Sequence, residues 1–341
     1  MAAGAAWLRH SGGWSNARAL NLFDAYRYLA ALELHRHFGR AATACHITQP
    51  ALSNALRSLE GHFGVPIVRR GRQYEGLTAE GEQVLATARR VLHEQERLTQ
   101  ELAGSAAQPR GRLVIGTVPT AEPIAARFAA RLIERHPGLV PQLRSLSSQE
   151  LESGLERLTL DLALGYTDRL ADLPGDRLQA WPQVLEHYHL LQRTAAGETS
   201  GPGLRFGAPI TWPEAAARPL ALLGPEMHNR VILEQVFRSQ GLAVAPALET
   251  NSVMALLVAV HSGPLAAVLP GALVDTLAAH AGLEARPLTA PVLRTPIGFM
   301  TARGQPASRA LQAALSLASD AAWLAEAAAH TGPLASGLAA G

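Results

Sequence analysis

GRAATACHITQPALSNALRSLEGHFGVPIVRR, from Gly39 to Arg70, is the stretch whose reading decides the fold. It opens with a short alanine-rich helical pattern from Arg40 to His46, turns tightly at His46 and Ile47, and starts a second helix at Thr48. Threonine caps the unpaired amides of a helix start, and Pro50 in the first turn forfeits no hydrogen bond. Ala51, Leu52, Ala55, Leu56 and Leu59 form the inner face, which leaves Gln49, Ser53, Asn54 and Arg57 outward. Gln and Asn pair bidentately with adenine, Ser meets several base edges or phosphate, and Arg grips guanine or phosphate. A helix offering those types near its N-terminus suits a DNA groove. The alternative, from this segment alone, is a helical hairpin with a polar face.

Upstream, an apolar-periodic helix runs from Leu22 to about His37. Downstream, GVPIVRRGRQYEGLT (64 to 78) mixes β-branched residues, Arg and Gly, as a short two-stranded wing does. A long helix then starts at Thr78, its N-cap, and runs to about Leu102. Within it Val84, Ala88, Val91, Gln95, Leu98 and Leu102 follow alternating steps of four and three, the seam of a two-helix coiled coil. The seam predicts a dimer; the alternative is that the stripe packs on its own chain.

Charge supports the reading. All 30 basic residues are Arg, and residues 18 to 76 carry eight Arg against four acids, a balance of +4 in a chain of net +2. A cationic front module on a near-neutral body is the footprint expected for phosphate contact. With 48% hydrophobic and 17% charged residues, the 341-residue chain reads as globular, and its length calls for two or three folded units. Cys45 is the single cysteine, so no intramolecular disulfide is available and the cytoplasm is the default compartment. Arg9 and His10 interrupt the alanine-rich start before it reaches signal-peptide length, and no apolar run suits a membrane span.

AGSAAQPRG (103 to 111) is a Pro-containing hinge. Beyond it RLVIGTV, the helix from Thr120 to His136, VPQLRSL, SQELESGLERL and DLALGY alternate β and α, which predicts a largely parallel, doubly wound sheet. EHYHLLQR, ARPLALLG, LAAVLP and TPIGFMT continue the pattern. The expected fold class is multidomain: an all-α winged helix-turn-helix with a long linker helix, then an α/β domain. The expected divisions are a flexible tail over 1–17, the winged helix-turn-helix over 18–78, the dimerisation helix over 79–104 and a hinge over 105–111. An effector domain occupies 112–325, with lobe I at 112–184 and 286–325 and lobe II at 185–285, before a second flexible tail over 326–341.

The run FGRAATACHITQPALSNALRSLEGHFGVPIVRR, closed by LTAEG, resembles the signature of LysR-type transcriptional regulators. GRLVIGTVPT, SQELESGLERLTLDLAL, ITWPEAAARPLALL and PLAAVLP extend the likeness to about nine tenths of the chain. The resemblance implies a two-lobed, periplasmic-binding-protein-like effector domain, a homodimer or homotetramer, promoter DNA with an interrupted dyad, a small-molecule effector and contact with RNA polymerase. It implies that Gln49, Pro50 and Ser53 face the major groove and that Arg70 sits at the wing position reaching backbone or minor groove. Asn54 departs from the pattern, which often has Arg there, and so puts the bases read in doubt. Arg69 and Arg72 are candidate phosphate contacts beside Arg70, or simply exposed turn arginines. Cys45 stands where the family has a buried aliphatic residue and is read as a small hydrophobe.

In a doubly wound sheet, ligands sit beyond the carboxyl ends of strands, where helix N-termini present free amides and suit a carboxylate or other small anion. Thr120 follows the first strand and, by resemblance, supplies a ligand-contacting hydroxyl. Ser147 and Ser148 open the next helix, and Asn251 and Ser252 a third; simple capping is the alternative for each. Resemblance adds Pro225, Met227 and His228. His187 and His189 alternate on a strand and share a face, but no third ligand accompanies them, so no metal or other cofactor is expected. An enzyme or a solute-binding protein with an accessory helical front is the competing class. Neither G-x-S-x-G, G-x-x-x-x-G-K-[ST], H-E-x-x-H nor a post-strand G-x-G-x-x-G is present.

Overall fold

The computed structural model describes residues 20–71, 73–103, 109–172, 177–194, 202–304 and 307–331. The chain divides into two compact units, Met1–Glu96 and Arg97–Gly341. The expected tail over 1–17 lies outside the described residues.

The first unit is built on three helices, α1 (Leu22–His35), α2 (Phe38–Ala44) and α3 (Gln49–Phe63). Asn21 caps α1 by accepting the Asp24 amide, and Arg36 ends it in the left-handed region at φ 48°. His37 then accepts the Arg40 amide, so α2 starts two residues earlier than its alanine pattern predicts. Between α2 and α3 the Cys45 amide donates to Ala41 and His46 takes φ 56°, which makes the tight turn. Leu29, Leu32, Ala41, Ala42, Leu52, Leu56, Leu59 and Ile67 are buried together as one core. Ala51 is a correction: it is exposed, because the buried row of α3 is Leu52, Leu56 and Leu59 and Ala51 lies to one side of it in the first turn.

Strands β1 (Val68–Arg70) and β2 (Tyr74–Leu77) pair antiparallel as the wing. Glu60 of α3 accepts the amides of Ile67 and Val68 at 3.0 and 3.1 Å, so α3 and the wing share one carboxylate. Tyr74 donates to Glu33 of α1, and the Arg36 guanidinium lies 5.7 Å from its ring. Helix α4 (Ala79–Ala103) follows, capped by Thr78, whose hydroxyl accepts the Gly81 amide at 2.9 Å and donates to the Pro66 carbonyl. Leu85 and Ala88 are buried, and Val84, Val91 and Leu92 pack on the same core, whereas Leu98 and Leu102 are 52% and 79% exposed. The stripe therefore packs on its own unit over its first turns, as the alternative reading expects, and beyond them leaves Leu98 and Leu102 uncovered.

The second unit runs β3 (Gly111–Thr117), α5 (Glu122–Arg135), β4 (Leu139–Ser145), α6 (Ser148–Glu156), β5 (Leu162–Tyr166) and the long β6 (Leu178–Arg193). There follow β7 (Arg205–Phe206), β8 (Ile210–Thr211), α7 (Trp212–Ala216), β9 (Ala221–Leu223), α8 (His228–Ser239), β10 (Leu248–Thr250) and α9 (Val253–Ser262). The unit closes with β11 (Ala267–Pro270), α10 (Gly271–Asp275), β12 (Leu283–Thr289), β13 (Arg294–Ala302), α11 (Arg309–Ala318) and α12 (Ala321–Ala329). Strand β3 pairs parallel with β4 and β5, as expected of a β-α-β alternation. Elsewhere the sheet is mixed: β13 returns antiparallel between β5 and β6, β6 pairs antiparallel with β12 and β11, and β12 pairs parallel with β7 and β8. The sheet is mixed because β13, the last of these strands, comes back to insert between β5 and β6, antiparallel to both. Strand β6 serves two sub-domains, pairing with β13 along Leu178–His187 and with β11 and β12 along Tyr188–Arg193. Separate apolar clusters fill the two halves, one around Phe128, Leu162 and Phe299 and the others around Trp212 and Phe237 and around Leu256 and Leu277.

The tail expected over 326–341 is also corrected. Helix α12 continues to Ala329, Trp323 is buried with its indole donating to Gln183 at 2.6 Å, and Thr331 is 1% exposed. Alanine is the strongest helix former, so an alanine-rich end with one aromatic anchor and the Asp320 cap orders instead of fraying. Only 332–341 of that stretch lies outside the described residues. Among the described residues no helix is long and apolar enough to cross a membrane.

Candidate functional site

At the front of α3, the Thr48 hydroxyl accepts the Ala51 amide at 3.3 Å. That bond fixes the first turn, and Thr48, Gln49 and Pro50 stand exposed on it. Ser53 is half-buried one turn on, while Asn54 and Arg57 are exposed and tied together, Arg57 donating to the Asn54 side chain at 2.9 Å. Sequence reasoning placed both outward without seeing this tie, although an i, i+3 spacing is the signal for it. Arg69 is exposed on β1; the side chain of Arg70 and all of Arg72 lie outside the described residues. Cys45 is half-buried at the α2 C-cap, and burial raises its thiol pKa, with Arg27 acting in the opposite sense.

In the second unit, the residues after β3, β4 and β5 meet at the carboxyl ends of those strands. Thr120 occupies a 3-10 turn, Pro119–Ala121, and is buried with its hydroxyl 2.8 Å from that of Tyr166. Asn229 of α8 donates to Tyr166 at 3.3 Å and to Tyr188 at 3.2 Å, and Tyr188 lies 3.3 Å from the Thr295 hydroxyl. One chain of hydroxyl and amide groups thus runs from the turn after β3 across to β6 and β13. Burial lifts both phenols above their ordinary range, and Glu186 adds to it.

Ser147 is engaged as the N-cap of α6 in a reciprocal box with Glu150. The Ser148 hydroxyl is buried and finds no partner among the described residues. Ser252 caps α9 through the Ala255 amide, and Asn251 and Pro225 are exposed. Neither Asn251 nor Ser252 joins the hydroxyl chain, so of the helix starts expected to converge, the structure brings Thr120 into it and leaves the third group apart.

Met227 is the N-cap of α8, and His228 behind it is a joint between sub-domains. Its ring packs edge-on to Tyr166 at 5.0 Å, Arg169 donates to its Nδ1 at 3.3 Å, and Asp168 is 3.6 Å from its Nε2. Arg169 is braced by Glu152 of α6 at 2.8 Å. His228 holds the Asp168 carboxyl below the usual carboxylate range.

The residue that sequence reasoning missed altogether is Glu186. It is fully buried on β6, and burial pushes its carboxyl up to about 8. The signal was present in EHYHLLQR: strand alternation puts Glu186 on the face of Tyr188, not with His187 and His189. His189 is buried and burial drops it to about 4, with His187 contributing. Among the described residues no group of three His, Cys, Asp or Glu is arranged to hold a metal ion.

Comparison with known proteins gives two family matches. Residues 106–323 match the LysR substrate binding domain, and residues 23–82 match the bacterial regulatory helix-turn-helix protein of the lysR family. A probable hydrogen peroxide-inducible genes activator of Mycobacterium xenopi is 36% identical over 139 residues, 40% of this chain and 74% of the relative. The dual regulator OxyR of Escherichia coli K12 is 33% identical over 146 residues, 42% of this chain and 48% of that protein. The match thus spans only about half of the latter's length. Among solved structures, a full-length OxyR variant from Pseudomonas aeruginosa superposes with a TM-score of 0.62 at 25% identity, covering 87% of this chain and 97% of that one. CbnR bound to its target DNA shares the fold, with a TM-score of 0.59 at 18% identity over 90% and 99% of the two chains.

Proposed function

The chain belongs to the LysR family of bacterial transcriptional regulators, and from that premise we propose that it binds promoter DNA through α3 and the wing under control of a small-molecule effector held in the second unit. The observation that carries the DNA half is the exposed row Thr48, Gln49, Pro50, Asn54 and Arg57 at the capped start of α3, with Ser53 beside it, on a module of charge +4. Gln49, Ser53 and Asn54 read base edges; Arg57, Arg69, Arg70 and Arg72 meet phosphate or the groove floor. Two copies joined along the exposed end of α4 reach the two halves of a dyad, in a dimer or tetramer that contacts RNA polymerase in the cytoplasm.

In this reading the effector is held between Thr120, Ser147 and Ser148 on one side and Pro225, Met227 and His228 on the other, and Asn251 and Ser252 join it only from further off. The buried Ser148 hydroxyl at the start of α6, which finds no partner among the described residues, favours a carboxylate or other small anion. Several relatives are named for hydrogen peroxide. Cysteine-based peroxide sensing is not part of the proposal, since the sole cysteine lies in the DNA-binding unit with its thiol pKa raised.

Fluorescence anisotropy with promoter fragments from the chain's own locus tests the reading. Gln49→Ala and Ser53→Ala are expected to weaken specific binding by about 1–3 kcal/mol. Unchanged affinity in both variants removes α3 from the interface.

A further inference from the structure

We propose that the effector carries a cationic nitrogen, an ammonium or guanidinium, received by the carboxyl group of Glu186 on the buried sheet face that carries the hydroxyl chain. The inference rests on that region being the effector site and adds the chemistry that selects the effector.

Thr295 of β13 lies directly opposite Glu186 on β6, Tyr188 is two residues further along the same face, and Tyr166 sits one strand beyond Thr295 opposite Ile297. Glu186 therefore shares a face with the whole hydroxyl chain and is near enough to raise both phenols. Yet those groups bond one another: Thr120 with Tyr166, Asn229 with both tyrosines, Tyr188 with Thr295. Both carboxyl oxygens of Glu186 are left without a partner among the described residues. A buried acceptor left unmade is costly, and an isolated buried carboxylate far more so. The polar groups on that face are Tyr166, Tyr188, Thr120, Thr295, Asn229 and, from the α8 start, His228 with Asp168, while α10, packed on β6 and on the turn of Thr120, brings Asp275 already paired with Arg127 and His330. None is a fixed cation directed at Glu186, whose shift has burial as its one cause. A ligand cation supplies what the protein withholds.

The access route is built into the same contacts. Asn229 and His228 are adjacent on α8 and close over Tyr166, Asp168 and Arg169, so the proposed approach to the hydroxyls, and past them to the carboxyl, runs between α8 and β5. Because burial keeps Glu186 protonated at pH 7 and a neighbouring cation favours the carboxylate, binding of a cation expels one proton. Affinity then climbs as pH rises from 6 to 8, by up to about tenfold per unit.

The test uses the full chain, with thermal shift and calorimetry against arginine, agmatine and putrescine, and against adipate and hexanoate as nitrogen-free counterparts, at pH 6, 7 and 8. Expected is stabilisation by at least one nitrogen-bearing probe, binding that tightens with pH, and at least a tenfold loss in Glu186→Gln. If Glu186→Gln does not fold, the pH slope of the unaltered protein decides: a rising slope for the cation supports the proposal, a flat one overturns it. Binding by adipate or hexanoate alone overturns it while leaving that region as effector site. No binding by any of the five overturns it together with the anionic reading of the effector.

Discussion

Gly81 shows how one missing side chain holds the DNA-reading end together. A Cβ there would lie 2.1 Å from the Ile67 carbonyl oxygen, so the start of α4 and the entry to the wing touch backbone to backbone. Gly81→Ala is expected to destabilise the first unit by about 1–3 kcal/mol, seen as an earlier thermal transition, because backbone has nowhere to retreat. The Gly81 contact was not legible beforehand, since it joins Ile67 to a residue fourteen positions on. Thr48 and Thr78 as caps were legible, because a cap acts within three residues of itself. The same locality explains why the α3 surface was readable in outline while the role of Glu186 was not: its meaning depends on strands β5 and β13, far away in sequence.

Strand β6 carries two opposed titrations. Glu186 is raised from an ordinary 4.5 to about 8, so between those values the native state binds a proton that the unfolded chain has released, and stability falls as pH rises. His189 is lowered from 6.5 to about 4, so below 6.5 the unfolded ring takes a proton the native one refuses, and stability falls as pH drops. Glu186→Gln should therefore gain thermal stability over the unaltered protein between pH 5 and pH 8; a difference that stays constant across that range contradicts the assignment. For α4, Leu98→Glu with Leu102→Glu is expected to yield a smaller species in sedimentation with little change in the first unit's melting, since neither leucine is buried in it. The heptad spacing revealed the stripe but not where it changes allegiance, which depends on how far the core around Leu85 extends. Likewise alternation marked β6 and β13 as strands but not their direction, because a period of two reads the same both ways.

At the scale of the molecule, regulation requires that ligand change the balance between arrangements, a coupling of about 1–3 kcal/mol. Thr120→Val removes the hydroxyl that begins the chain to Tyr166, Asn229 and Tyr188, and is expected to reduce the ligand-induced change in promoter affinity severalfold more than it alters affinity without ligand. Anisotropy titrations with and without effector read both quantities; an undiminished response excludes Thr120 from the coupling.

Since β6 passes unbroken from one sub-domain to the other and is stitched to β13 in the first and to β11 and β12 in the second, the halves cannot swing on a slack connector. Any opening must be taken up as torsion in a shared girder, and its travel is bounded by how much twist that ribbon tolerates before its rungs part.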